Sequence, residues 1–207
     1  MILRLPILIL MWSVTSTVAA QDTTYYQDFG VMKSIGLSID DQRVGDWNFY
    51  YVSGALSAQL VYSEGSLDGK QRYYYPNGSL QAIETWGQDA LKDSAFYYHE
   101  TGALEKKGRY FNNLYMGIWE FYHPNGNLKR RGNYEQGTPV GHWQFFYEQG
   151  ALWQEGTLVS GLESGPWQYY DDLGQLQYVG AFDQGKQIGL WYKYNRQGKK
   201  KKWKQFD

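Results

Sequence analysis

The chain contains no cysteine. That absence excludes disulfide staples, lipidation at a lipobox, thiolate chemistry and a cysteine zinc site. Histidine is scarce as well, with three in 207 residues. No nucleophile, base and orienting group recur together, so the sequence predicts no enzyme and no catalytic residue. No phosphate-cradling glycine loop is present, and no cofactor or metal site is expected. Neither charge dominates: 20 Lys+Arg stand against 21 Asp+Glu, which is not the balance of a nucleic-acid binder. No apolar run is long enough to cross a bilayer. The one apolar run, Leu5 to Met11, follows Arg4 and precedes small residues up to Ala20, the layout of a cleaved secretory signal peptide. With Val18 and Ala20 at the small-residue positions before a cut, residues 1–20 are expected to be removed and the mature chain to begin near Gln21. Its expected location is periplasmic or secreted, with 19 Lys+Arg against 21 Asp+Glu once Arg4 is gone.

What the chain has in abundance is aromatic residues, 18% of the total, together with 24 glycines. This mixture predicts short twisted strands and tight turns, an all-β protein. Trp119, Trp143, Trp167 and Trp191 are spaced 24 residues apart, and the register runs back through Ala95 and Gln71 to Trp47. Seven residues after each comes a glycine: Gly54, Gly78, Gly102, Gly126, Gly150, Gly174 and Gly198. Leucine follows two residues later at Leu56, Leu80, Leu104, Leu128, Leu152 and Leu176, with Lys200 ending the series. A fixed period of this size marks stacked units, each too small to bury a core alone. The units fall near 21–44, 45–68, 69–92, 93–116, 117–140, 141–164, 165–188 and 189–207. The first is degenerate, placing Tyr25, Tyr26, Gly30, Met32 and Gly36 in the repeat slots.

Within Gly117 to Val140, an aromatic strand leads into Pro124-Asn125-Gly126, where glycine supplies a positive φ, and Leu128 opens the returning strand. Each unit therefore reads as a β-hairpin with a return turn. Eight hairpins give sixteen strands, and at about 4.8 Å per strand a single elongated, twisted meander roughly 75 Å long. A second glycine at Gly108, Gly132, Gly156 and Gly180 falls mid-strand, opposite or diagonal to the repeat tryptophan. It is expected to seat the indole.

Three residues after each tryptophan slot stands Tyr50, Tyr74, Tyr98, Tyr122, Phe146, Tyr170 or Tyr194, with Tyr26 matching in the first unit. The preceding residue is aromatic too, except at Lys193. Adjacent strand residues point to opposite faces, so the sheet carries aromatic ladders on both sides. The side of Trp119 and Phe121 is assigned to packing, since indole and phenyl rings bury the most area. The other ladder runs among Asn48, Arg72, Glu120, Gln144 and Gln168 and is the candidate binding surface. The same ladder would also serve simply to hold the sheet together through cross-strand contacts.

The iterated Gly-x-Trp-x-Phe/Tyr-Tyr, x-Asn-Gly-x-Leu and Gly-x-Tyr pattern resembles the variant MORN repeat of bacterial proteins often labelled YwqK-type antitoxins. The resemblance implies a meandering antiparallel sheet used as an interaction scaffold, with a protein as partner and no catalytic residue to carry over. An antitoxin meets its toxin in the cytoplasm, so an antitoxin or immunity role ranks below an exported scaffold here. The Trp-x-Tyr-Tyr and Gly-x-Leu elements also resemble the aromatic hairpins of choline- and glucan-binding wall modules. That resemblance makes envelope glycan the alternative ligand.

The remaining motifs carry less. His99 and His123 share one slot in successive units, two strands and roughly 9–10 Å apart, too far for a shared zinc without further ligands. Tyr51, Tyr75 and Tyr147 fill that slot elsewhere, so both histidines read as strand surface. His142 has no evident partner, and Asp171-Asp172 reads as turn chemistry. Lys199, Lys200, Lys201, Lys202 and Lys204 lie on the last strand, where they protect an exposed edge. Attraction to an anionic membrane surface is the alternative for this tail. Asn77-Gly78-Ser79 matches a glycosylation sequon but coincides with a repeat turn.

Overall fold

The structure, a computed structural model, describes residues 18–207. The apolar run of the expected leader lies outside the described residues, and Ala20 opens the first strand. Strands β1 (Ala20–Tyr25) and β2 (Met32–Ile39) form one hairpin, and β3 (Gln42–Tyr50) and β4 (Leu56–Ser63) the next. Two outgoing strands are each broken by one residue. Thus β5 (Ser66–Leu67) and β6 (Gly69–Tyr74) answer to β7 (Leu80–Gly87), and β8 (Ala90–Leu91) and β9 (Asp93–Tyr98) answer to β10 (Leu104–Phe111). Four longer hairpins follow: β11 (Leu114–Tyr122) with β12 (Leu128–Glu135), β13 (Thr138–Phe146) with β14 (Leu152–Val159), β15 (Leu162–Tyr170) with β16 (Leu176–Asp183), and β17 (Lys186–Tyr194) with β18 (Lys200–Phe206).

Every pairing joins antiparallel sequence neighbours, from β1 with β2 to β17 with β18. The result is one open all-β meander, as the repeat predicts. β5 with β6, and β8 with β9, each count as one interrupted strand, so the eight expected hairpins are present. Gly126 has φ 88°, and the equivalent turn glycines lie between 72° and 95°. Units connect through two-residue turns such as Gln136-Gly137, with φ 47° and 79°. Positive φ at both central residues is the type I′ geometry, whose twist matches that of the strands it joins.

One register detail positions everything else. Between units, Gly156 faces Trp167 but the next residue, Thr157, faces Ser164, leaving Gly165 and Pro166 as extra residues on β15. Gly165 takes the bend at φ 69°. Equivalent irregularities occur at Gly36, Gly108, Gly132 and Gly180. Because two residues are added, alternation is preserved and the same side chains stay on the same face.

The tryptophan face is the core. Trp47, Trp119, Trp143, Trp167 and Trp191 are each at most 2% exposed. The glycine seat is present, but it belongs to a different pair from the one expected. Trp119 lies directly across the hairpin from Gly132, yet a Cβ on Gly132 would overlap the indole of Trp143. Likewise Gly36, Gly108, Gly156 and Gly180 lie beneath Trp47, Trp119, Trp167 and Trp191. Each indole leans back over the glycine eleven residues earlier, in the preceding unit. The interrupted ladder there leaves a free carbonyl, and Trp47, Trp119 and Trp167 donate their Nε1–H to Leu37, Arg109 and Thr157 at 3.0, 3.0 and 3.3 Å. Trp143 reaches Val140 instead at 3.2 Å, and the buried Nε1 of Trp191 has no partner.

The indole edges are closed by the residue nine before each. Tyr110 against Trp119, Tyr134 against Trp143 and Phe182 against Trp191 meet edge-on at 5.1–5.3 Å. Tyr115 stacks over Trp119 at 3.8 Å, and the Arg43 guanidinium covers Trp47 at 4.4 Å. Burying roughly 200 Å² per tryptophan is worth about 5 kcal/mol before entropy is charged. Most of that gain lies across unit boundaries.

The first unit departs from the expected slots. Tyr26 N–H donates to Val31 O, where its counterpart Tyr51 N–H donates to Ala55 O, so the first turn is one residue longer. Tyr26 therefore takes the place of Tyr51, not that of Tyr50, and its hydroxyl donates to Tyr50 O at 2.8 Å.

Candidate functional site

The ladder Tyr50, Tyr74, Tyr98, Tyr122, Phe146, Tyr170 and Tyr194 lies on the face opposite the tryptophans, and all seven are half-buried. The hydroxyls of Tyr74, Tyr122 and Tyr170 are tied into a polar lattice. Tyr122 donates to Glu120 at 2.8 Å, and Lys107 pairs with the same carboxylate at 2.9 Å. Tyr74 donates to Gln59 at 2.8 Å. Tyr170 donates to Glu155 at 2.9 Å, while Gln144 donates to that carboxylate at 2.9 Å and His142 lies 3.2 Å away. His142 thus has a partner on the adjacent strand, Glu155, that the sequence did not suggest.

Burial, reinforced by the bond to Glu155, pushes the Tyr170 hydroxyl up to about 12. Glu155 is itself partly desolvated, which opposes ionisation, yet the hydrogen bonds from Gln144, Tyr170 and His142 hold it below the ordinary carboxylate range. Glu120 is lowered in the same way by Lys107 and Tyr122 against its own desolvation. Neutral phenols donating to ionised carboxylates, as Tyr122 and Tyr170 do, make these parts of the face rigid and pre-ordered.

Beside this lattice, toward the type I′ turns, alternation puts Phe111, Leu114, Met116 and Ile118 on the same face. Ile118 is 68% exposed, Phe111 59% and Leu114 47%. Val159 and Leu162, paired across the next-but-one turn, extend the stripe at 56% and 48%. Sequence reasoning missed it because Ile118 sits in the inter-unit bulge, where a period-two count from the tryptophan gives no exposure.

The histidine slot does more than cover strand surface. His123 Nε2 lies 3.1 Å from Phe146 O, and Tyr51, Tyr75 and Tyr147 donate to Tyr74 O, Tyr98 O and Tyr170 O at 2.7–3.0 Å. At Tyr51, Tyr75, His123 and Tyr147 the slot latches one unit to the next. Asn77, the sequon residue, is likewise engaged, donating to Glu100 O at 3.4 Å. Lys200, Lys201, Lys202 and Lys204 lie on β18, which among the described residues pairs with β17 alone, so they line an edge of the described sheet, and Lys199 immediately precedes it. Lys200 sits 3.7 Å from the Tyr192 ring centroid and Lys204 4.5 Å from that of Phe206.

The sequence profile of the MORN repeat variant matches residues 67–86, 117–136 and 139–159. Three stretches of the chain are therefore MORN-variant repeats. Each matched stretch takes in two paired strands and the hairpin turn between them, at Gly78, Gly126 or Gly150, so the profile follows the same hairpin grammar as the structure. No curated protein matches the chain. Among solved structures it is similar to the TcdB2-TccC3 crystal structure, at 14% identity over 85% of this chain and 13% of that one, with a TM-score of 0.20. The TcdB2-TccC3-Cdc42 crystal structure is similar at 14% identity over 89% and 14% of the two chains, with a TM-score of 0.18. The chain spans about a seventh of the length of those proteins, and likeness at these scores defines neither fold nor function. MORN repeats commonly serve as protein-interaction modules, and a repeat scaffold of this build fits that use.

Proposed function

We propose that this MORN-variant protein is an exported, non-catalytic scaffold that binds another protein on its tyrosine-ladder face. The observation supporting this reading is the juxtaposition on one face of an exposed apolar stripe, Phe111, Leu114, Met116 and Ile118, with an ordered polar lattice around Tyr122. An apolar centre flanked by satisfied polar groups is the anatomy of a protein interface. The fixed lattice lowers the ordering cost of association. The partner's complementary surface is apolar at its centre and polar at its rim.

Capture from an envelope fraction with the mature protein tests the site. Ile118→Asp with Leu114→Asp is expected to release the partner while leaving the melting temperature within a few degrees of wild type. Recovery of the same proteins by wild type and variant would contradict the proposal. Export is tested separately by N-terminal sequencing of the cell-derived protein, with Gln21 expected first.

A further inference from the structure

The opposite face carries a second feature, centred on the row of side chains beside the tryptophans. One row of side chains crosses the whole tryptophan face in cross-strand register, and its middle reads Tyr97, Lys106, Phe121, Arg130, Phe145, Gln154. Lys106 and Arg130 are held between rings. The Lys106 ammonium is 4.3 Å from the Tyr97 centroid and donates to Tyr115 Oη at 3.0 Å, and the Arg130 guanidinium is 4.2 Å from the Phe121 centroid.

Two adjoining cavities open here. One, of about 440 Å³, is lined by Lys106, Phe121, Arg130 and Tyr134 together with His99 and Glu105. Its neighbour, of about 410 Å³, is lined by Phe145, Trp153, His123 and Glu148. Lys129 and Arg130 line both. Among the described residues the ion pairs are Lys107–Glu120, Arg109–Asp93 and His142–Glu155, so Lys106, Lys129 and Arg130 have no acidic partner within ion-pair distance. Arg130 Nε and His99 Nε2 are buried without a hydrogen bond. Three unneutralised cations along a ring-lined groove favour an anionic ligand with flat apolar faces. A peptide is disfavoured, because the strands beneath are paired on both sides and leave no backbone edge for it to join.

We propose that these cavities form one groove for an acidic sugar chain, whose carboxylates meet Arg130, Lys106 and Lys129 and whose rings lie on Phe145 and Trp153. The groove centres on the tryptophan face, and Tyr122 and Phe146 of the ladder reach its cavities from the other side. Oligogalacturonate serves as the probe in titration calorimetry, beside its neutral methyl ester and oligoglutamate. Oligogalacturonate is expected to bind, with affinity falling as salt rises. The methyl ester, and the Arg130→Gln variant with the acid form, are each expected to bind at least roughly tenfold more weakly. Tyr98→Ser, on the other face, is expected to bind as wild type. Lys129 and Trp153 are exposed, so Lys129→Gln and Trp153→Ala should weaken binding with the fold intact even if Arg130→Gln proves unstable. No binding of oligogalacturonate, equal binding of the methyl ester or of oligoglutamate, or unchanged affinity in both exposed variants would overturn the proposal.

Discussion

The units carrying Trp119, Trp143, Trp167 and Trp191 share a backbone plan with those carrying Gln71 and Ala95, yet the seam between units is filled in different ways. Where tryptophan is present, glycine stands eleven residues before it, and the indole lies over that glycine. In the other two units the corresponding earlier residues are Leu60 and Glu84. No indole could lie over either. Gln71, fully buried, inserts its amide instead, accepting from Val61 N–H at 2.6 Å and donating to Val61 O at 3.1 Å. It takes the place of a missing peptide pairing. Ala95 leaves room for Glu84, whose carboxylate accepts from Tyr97 at 2.7 Å and Trp86 Nε1 at 2.9 Å. The lesson is that the seam, rather than the hairpin, is the unit of selection for residue type. It can be closed by a ring on a glycine or by a side chain imitating backbone.

The row crossing this face changes in parallel. Ser34, Ala58 and Ala82 are small and buried in the N-terminal part, whereas Lys106, Arg130 and Gln154 are long and polar farther on. Among the described residues this cation-lined groove lies in the second region.

The largest effect that would sharpen this comparison is Trp167→Ala, expected to cost about 3–5 kcal/mol because a large ring leaves a tight site. Denaturant unfolding measures it. Gln71→Ala is expected to cost less, about 1–3 kcal/mol, by leaving the Val61 amide and carbonyl unpaired. Should the two losses be equal, the two seams would not differ as described. Replacing Ala95 by Trp alone should destabilise the protein, and adding Glu84→Gly should recover most of the loss, since it builds the seat the ring needs.

Smaller effects concern the latches. Tyr147→Phe is expected to cost about 1 kcal/mol. His99, whose Nε2 is buried without a bond, occupies the slot in which Tyr75 reaches the next unit. His99→Tyr is therefore expected to raise the melting temperature slightly.

The smallest effects are those of pH. Glu120 and Glu155 titrate below their ordinary range, so the stability they contribute is present above the unfolded carboxylate pKa and lost as pH falls through the folded one. Glu155→Gln should flatten that acid limb. Tyr169 and Tyr170 are raised from 10.0 to about 12, so their contribution is full below pH 10 and declines between those values. Absorbance of tyrosinate during alkaline titration would show this delayed ionisation.

Much of this was legible in the sequence. The 24-residue period gives the hairpins, the turn glycines their φ, and the alternation of Trp119, Glu120, Phe121 and Tyr122 assigns the two faces correctly. What could not be read from alternation is which unit each indole leans toward, because a two-residue bulge preserves facing while shifting position. The signal was nonetheless present: glycine at 36, 108, 132, 156 and 180 occurs where tryptophan follows eleven residues later, and is missing before Gln71 and Ala95. The extra residue in the first turn and the exposed Ile118 stripe follow from local backbone geometry that a fixed period does not encode. The pairing of Lys106 and Arg130 with aromatic rings depended on strand register, which only the structure supplies.

The decisive measurement is a pair of double-mutant cycles on Gly132. Gly132→Ala is combined once with Trp143→Leu, in the next unit, and once with Trp119→Leu, directly opposite in the same hairpin. The seam account predicts strong coupling with Trp143, the smaller side chain relieving the added methyl, and additivity with Trp119. Coupling with Trp119 and additivity with Trp143 would contradict it.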